Sequence, residues 1–130
     1  MNYNEIGILL GLSAVTVILL VRKKINGPYA KSIWKSALLL FSLYALILIV
    51  VEIRWYYLNE HVKSFDLDKN GFVDLYEYTE EAQKAMNKIT QNTARSYAPV
   101  TVALLSSTVS FAYLLVDLVM VHLKIKNSKI

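Results

Sequence analysis

The stretch SALLLFSLYALILIVV, residues 36–51, contains no charged side chain. Two further charge-free runs, 6–21 and 96–116, lie before and after it in a chain of 130 residues, of which 55% are hydrophobic and 18% charged. A helix rises ~1.5 Å per residue, so about 20 residues cross a hydrocarbon core that is roughly 30 Å thick. The third run reaches this length alone, whereas the first two need their flanking residues.

The flanking residues complete the first two runs. Tyr3 and the methylenes of Arg22 extend the first, and Trp34 and Ile53 extend the second, because aromatic rings and long basic side chains settle at the headgroup level. The sequence therefore predicts an all-α fold with three transmembrane helices, near residues 3–22, 34–54 and 98–122.

Two other interpretations of the apolar runs agree less well with their pattern. A soluble helical bundle would show one apolar stripe on each helix, whereas these runs are apolar on every face. A signal peptide would have basic residues before its apolar run, but here the basic residues RKK, 22–24, follow the first run. This charge order indicates an uncleaved membrane helix with its N-terminus outside.

Basic residues are concentrated at one end of the predicted helices. The connection between helices one and two and the C-terminal tail lie on the same side, because the number of spans is odd. Together they contain eight basic residues and no acid, namely Arg22, Lys23, Lys24, Lys31, Lys35, Lys124, Lys126 and Lys129. The positive-inside rule makes this side cytoplasmic. We therefore expect a multi-pass protein of the plasma membrane or the bacterial inner membrane, with the C-terminus in the cytoplasm.

The segment between helices two and three then faces outward. Its six basic residues are spread over residues 52–97, which also contain eight acids. No basic face with interleaved aromatic residues occurs in this polar part, so the net charge of +4 reflects topology and not nucleic-acid binding.

This outward segment contains the stretch DLDKNGFVDLYE, residues 66–77, in which oxygen-bearing side chains recur at alternate positions. A calcium ion takes about six to eight oxygens at ~2.3 to 2.6 Å, so short side chains at this spacing wrap it and a longer Glu reaches back with both oxygens. Gly71 supplies the sharp turn, and Phe72 contributes its carbonyl. The predicted Ca²⁺ ligands are Asp66, Asp68, Asn70, Phe72, Asp74 and Glu77.

The stretch resembles an EF-hand over about residues 55–89, with no departure inside the loop. The resemblance implies a helix entering the loop, a helix leaving it and calcium between them. Apolar residues recur at helical spacing on both sides, namely Leu58, Val62 and Phe65 before the loop and Leu75, Tyr78, Ala82, Met86 and Ile89 after it. The predicted organisation is thus 1–54 with two membrane helices, 55–97 with the hand, and 98–130 with the third helix and the basic tail. Two alternatives remain, a solvated acidic loop without an ion and a calcium ion that only holds the fold.

Hands of this family usually occur in pairs joined through position 8, here Val73, whereas this sequence contains one. A lone hand leaves a backbone edge and two apolar stripes uncovered, which is unfavourable in water. We expect a homo-oligomer joined through its hands, a membrane-protein partner, or packing of the stripes onto another part of the chain. Since residues 52–65 lack Gly and Pro, helix two is predicted to continue unbroken into the hand.

Two patterns within the membrane helices each allow two interpretations. Gly7 and Gly11 share one face of helix one and permit close approach of a helix, from a second copy or from the same chain. Asp117 lies within helix three, at the end of a stripe of hydroxyl-bearing residues, and an ionisable group there is costly unless it is paired or hydrated. It lines an ion path or pairs with Lys35 or Lys24. The stripe consists of Ser106, Ser110 and Tyr113.

Catalysis is not expected. The two histidines, His61 and His122, are predicted on opposite faces of the membrane, and the sequence contains no nucleophile elbow and no phosphate-binding Gly loop. The sequence predicts a calcium-binding integral membrane protein, a sensor that couples an extracytoplasmic hand to its membrane helices or to a partner. The alternatives are a calcium-regulated channel or transporter subunit and a structural assembly protein stabilised by calcium.

Overall fold

The computed structural model describes residues 2–91 and 94–128, and these residues form helices and turns without any strand. Lys129 of the predicted basic tail lies outside them. Among the described residues, three helices are long and apolar enough to cross a membrane, which agrees with the predicted all-α membrane fold. The α-helices are α1 (Tyr3–Val21), α2 (Pro28–Lys63), α3 (Glu80–Thr90) and α4 (Ala94–Asn127), with 3₁₀ turns at Arg22–Lys24 and Leu75–Glu77.

Local signals explain where the first two helices begin. At α1 the Asn2 side chain accepts a hydrogen bond from Glu5 N–H at 2.9 Å, and the Glu5 carboxylate accepts one from Asn2 N–H at 3.0 Å, which satisfies two free donors of the first turn. Before α2, Gly27 has a φ of +104°, a conformation that favours glycine, and Pro28 occupies the first helical position, where its missing N–H is not needed.

Helix α2 is unbroken over 36 residues and continues past Glu52 to Lys63, as the absence of Gly and Pro from residues 52–65 predicts. At ~1.5 Å per residue it extends about 54 Å, which exceeds a hydrocarbon core of roughly 30 Å. If the membrane-embedded part ends near residue 54, the last nine residues project about 14 Å beyond it. The polar segment that follows Lys63 is therefore attached directly to a helix that continues without a break from the apolar bundle.

Helix α2 lies between α1 and α4 and is antiparallel to both. At one end Glu52 of α2 contacts Asn4 of α1 and Arg95 of α4, and at the other end Trp34 contacts Ile18 of α1. Small side chains dominate the buried positions, as is usual where membrane helices approach closely. The buried residues of the three helices are Asn4, Gly7, Gly11, Ser32, Ser36, Ala45, Leu48, Ala98, Val102, Ser106 and Ser110.

Gly7 and Gly11 are both buried against α2 of the same chain. A Cβ added at Gly7 would lie 2.7 Å from Leu48 Cδ1, and one added at Gly11 would lie 3.0 Å from the Cβ of Ala45. Of the two interpretations of this glycine pair, the structure therefore supports packing within the chain.

The leaving helix begins later than the apolar spacing indicates. Leu75 lies in a 3₁₀ turn and is 87% exposed, and Tyr78 lies outside any helix. Helix α3 begins only at Glu80, because the Thr79 side chain accepts a hydrogen bond from Ala82 N–H at 3.1 Å and caps the helix there. Helix α3 then packs against α2, with Ala82 and Ala85 as its buried residues.

Candidate metal site

Three carboxylates of the segment between α2 and α3 converge. Asp66, Asp68 and Glu77 each offer one oxygen, and these three oxygens lie within 4.8 Å of one another. Two oxygens bound to one ion at ~2.4 Å can be no more than about 4.8 Å apart. The spacing of the three oxygens is therefore compatible with a shared calcium ion.

Glu77 folds back onto the beginning of the loop and is buried, with 9% of its surface exposed. Its Oε1 accepts hydrogen bonds from Leu67 N–H at 2.6 Å and from Asp68 N–H at 3.2 Å. Its Oε2 accepts one from Asp74 N–H at 3.1 Å. A single carboxylate thus joins the two ends of the loop and orients its own oxygens toward the other acids.

Asn70 connects the acids that lie between these two ends. Its Nδ2 donates to Asp68 Oδ2 at 3.0 Å and to Asp74 Oδ2 at 2.7 Å, while its backbone N–H lies 3.1 Å from Asp66 Oδ1. Asp66 Oδ2 also accepts a hydrogen bond from Gly71 N–H at 2.9 Å. Asp74 lies outside the group of three converging carboxylates and is linked to it through Asn70.

Phe72, the predicted carbonyl ligand, has a side chain that is 75% exposed. Its N–H donates to Asn70 Oδ1 at 2.8 Å, so the amide oxygen of Asn70 is engaged with the backbone. An amide oxygen has two lone pairs, so Asn70 Oδ1 retains one that could bind an ion. The structure therefore brings three of the six predicted ligands together and places Asn70 and Asp74 beside them.

The backbone of the loop reverses through two residues with positive φ, Lys69 at 58° and Gly71 at 94°. A side chain at the φ of Gly71 would be strained although no atom lies within 4 Å of the added Cβ. The glycine is thus required by backbone conformation and not by lack of space.

The loop has a large excess of negative charge. It contains four acids and one basic residue, Lys69. Within the described residues, no Lys or Arg forms an ion pair with these four carboxylates. Four close carboxylates repel one another, and a divalent cation removes this repulsion. Hard, oxygen-only donors of this kind suit calcium better than zinc or copper.

A second polar cluster, which the sequence analysis missed, lies where α2 leaves the apolar part of the bundle. Here Glu52 Oε1 accepts hydrogen bonds from Arg95 Nη2 at 2.7 Å and Asn2 Nδ2 at 3.1 Å, and Oε2 accepts from Asn4 Nδ2 at 3.3 Å. The Arg95 guanidinium carbon lies 4.3 Å from the ring centroid of Trp55, which adds a cation–π contact. We call these five residues the Glu52 cluster. It joins α2, α4 and the N-terminal end of α1.

Asp117 pairs with Lys35, one of the two partners that the sequence suggests. The Lys35 Nζ lies 3.8 Å from Asp117 Oδ1. Ser106 and Ser110 are buried, and Ser36 Oγ donates to the Ser110 carbonyl oxygen at 2.8 Å. The contact with Lys35 favours charge pairing for Asp117, whereas the buried hydroxyls of Ser106 and Ser110 and the Oδ2 of Asp117 form no hydrogen bond within the described residues.

Comparison with known proteins provides no relative. No family model, no curated protein and no solved structure matches the chain. The chemistry of the site is therefore inferred from its own oxygens, its charge and its position in the fold.

Proposed function

We propose that this chain is an integral membrane protein that binds Ca²⁺ in the loop 66–77 and transmits the occupancy of that loop to its membrane helices. The convergence of the Asp66, Asp68 and Glu77 oxygens within 4.8 Å carries the proposal. Asn70, the Phe72 carbonyl and Asp74 complete the proposed ligand set. In this function the helix–loop–helix acts as an EF-hand, and sensors of that type change the angle between their two helices when calcium binds.

The position of the loop supports its coupling to the membrane. The loop follows α2 directly, and α2 is continuous from Pro28 to Lys63. Helix α3 packs against the same helix and ends at Thr90, four residues before α4 begins. A change in the angle between α2 and α3 would therefore act on the beginning of α4, next to Arg95.

Calorimetry on the purified protein tests whether the loop binds calcium. Glu77→Gln removes one charge and one carboxylate oxygen from the converging group, and we expect calcium affinity to fall by at least tenfold. Glu81→Gln is the matched control, because Glu81 is exposed in the first turn of α3, outside the loop. Unchanged calcium affinity in Glu77→Gln would contradict the assignment of the loop 66–77 as the calcium site.

A distance measurement separates a sensor from a structural calcium site. The chain contains no cysteine, so spin labels attached to introduced cysteines at Tyr57 on α2 and Gln83 on α3 would be specific. Both positions are exposed. In a sensor the distance between the labels changes when calcium is added. A purely structural site gives the same mean distance and a narrower distribution.

Exposed apolar side chains around the loop support a partner. Leu67, Phe72, Leu75 and Tyr76 are each at least 75% exposed. Apolar groups exposed together in an extramembrane segment commonly mark an interaction surface. We propose that this surface contacts a second copy of the chain or a membrane-protein partner.

The proposed orientation places the loop outside the cytoplasm, from the density of basic residues at the other end of the helices. The test is the reaction of a thiol reagent with a cysteine introduced at Lys69, in sealed vesicles of known sidedness. Labelling from the cytoplasmic side would show that the orientation is the opposite one and that the loop is a cytosolic calcium site.

A further inference from the structure

A cavity of about 330 Å³ lies at the end of the bundle opposite the metal loop, between the end of α1 and the beginning of α2. Ligand pockets generally measure about 300 to 1,000 Å³, so the volume suits a small group. The cavity is lined by Arg22, Ile25, Lys31, Trp34 and Lys35.

One wall of the cavity is held in place by two contacts of Trp34. The indole Nε1 donates a hydrogen bond to the carbonyl oxygen of Ile18 at 2.7 Å, which joins α2 to α1. The Arg22 guanidinium carbon lies 5.7 Å from the ring centroid, within range of a cation–π contact. The ring therefore positions a cationic group beside the cavity.

The charge of the lining is positive and only partly neutralised. Three of the five lining residues are basic and none is acidic. Lys35 pairs with Asp117 at 3.8 Å, whereas Arg22 and Lys31 form no ion pair with a carboxylate among the described residues. Two cations thus face one cavity without a counter-ion from the described part of the chain. This arrangement favours an anionic ligand.

We propose that this cavity binds a phosphate group, supplied by the headgroup of an anionic phospholipid. Arg and Lys nitrogens are suitable donors to phosphate oxygens. A lipid is the favoured source because Trp34 lies at the boundary of an apolar helix, where aromatic side chains settle at the headgroup level. Basic cavities between membrane helices are recognised sites for such headgroups. The site is independent of the calcium loop, which lies at the other end of α2.

The test uses the full chain in nonionic detergent and native mass spectrometry with phosphatidylglycerol, phosphatidylcholine or inorganic phosphate. The variant Arg22→Gln with Lys31→Gln removes the two unpaired charges of the cavity. Lys23→Gln with Lys24→Gln is the matched control, because it removes two charges from the same connection but from residues that do not line the cavity. Loss of one direct hydrogen bond between a basic side chain and a charged phosphate weakens binding about tenfold, so the cavity variant should bind phosphatidylglycerol roughly 100-fold more weakly. The control should change binding by less than about fivefold.

The possible outcomes separate the sources of the phosphate group. Preference for phosphatidylglycerol over phosphatidylcholine, lost in the cavity variant alone, supports a lipid headgroup. Displacement of phosphatidylglycerol by millimolar inorganic phosphate supports a phosphate site that takes a soluble anion. Equal binding of both lipids, or an equal loss in the control variant, overturns the proposal. If the double cavity variant fails to fold, Lys31→Gln is compared with Lys23→Gln, both at exposed positions, and an equal loss of phosphatidylglycerol binding in these two overturns the proposal.

Discussion

We predict that the Glu52 cluster stabilises the end of the bundle that carries the loop. The substitution Glu52→Gln replaces a carboxylate that accepts four hydrogen bonds, two of them from Arg95 and the others from Asn2 and Asn4. All four contacts are made by N–H donors. Glutamine offers one acceptor oxygen and an NH₂ group, so some of these donors must face another donor.

The magnitude follows from the geometry of the four contacts. Those to Oε1 are 2.7 and 3.1 Å long, whereas those to Oε2 are 3.3 and 3.4 Å and therefore weaker. A hydrogen bond to a charged group contributes about 1.5 to 3 kcal/mol to stability. The side chains of Glu52 and Arg95 are 25% and 22% exposed, and screening by solvent reduces this contribution. We expect Glu52→Gln to lower the free energy of unfolding by about 2 kcal/mol.

The assay is a double-mutant cycle of Glu52→Gln and Arg95→Gln, with the free energy of unfolding measured in mixed micelles by titration with a denaturing detergent. We expect a coupling energy of about 1 to 2 kcal/mol. The control cycle uses Glu60→Gln and Lys63→Gln, a pair on the same helix at 3.0 Å with both side chains well exposed. Its coupling energy should remain below about 0.5 kcal/mol. Equal coupling energies in the two cycles would refute a structural role for the cluster.

Gly7, Gly71 and Asp117 can each be tested by a single substitution. Gly7→Leu should lower the free energy of unfolding by about 1 to 3 kcal/mol, because the added Cβ would lie 2.7 Å from Leu48 Cδ1. If stability is unchanged and sedimentation shows a shift in the monomer–dimer equilibrium, the glycine lies instead in an interface between copies. Gly71→Ala should weaken calcium binding about fivefold in calorimetry, because its φ of +94° strains alanine by roughly 1 kcal/mol. Asp117→Asn should lower stability by less than about 1 kcal/mol, since its partner Lys35 is half exposed; calcium-dependent ion flux in liposomes that disappears in this variant would instead support a channel subunit.

The sequence located the three long helices because an apolar run that covers the hydrocarbon core is unmistakable. Their ends were less predictable, since α2 begins at Pro28 and α4 covers Ala94–Asn127, beyond the predicted 34–54 and 98–122. The continuation of α2 to Lys63 was predictable for a similarly simple reason, the absence of Gly and Pro after Glu52. The spacing of the acids in residues 66–77 likewise indicated Asp66, Asp68 and Glu77, whose oxygens the fold brings together.

Two features depended on interactions that the sequence pattern does not contain. The beginning of α3 was misjudged because apolar spacing placed Leu75 and Tyr78 on a helix, whereas the cap formed by Thr79 starts the helix at Glu80, five residues after Leu75. The Glu52 cluster joins residues 43 and 50 positions apart, and its geometry exists only after the helices pack. A weak signal was available, since Glu52 is an acid that directly follows a long apolar run.

The Glu52 cluster also distinguishes a calcium sensor from a structural calcium site. If calcium occupancy moves the beginning of α4 relative to α2, the contact between Glu52 and Arg95 differs between the two states. Coupling between two sites is reciprocal, so weakening that contact must then change the affinity of the distant loop for calcium. Glu52 is not among the proposed ligands, and thirteen residues of the chain lie between it and Asp66, the nearest of them in sequence. A sensor therefore predicts that Glu52→Gln shifts calcium affinity in calorimetry, whereas a structural site predicts lower stability with unchanged affinity.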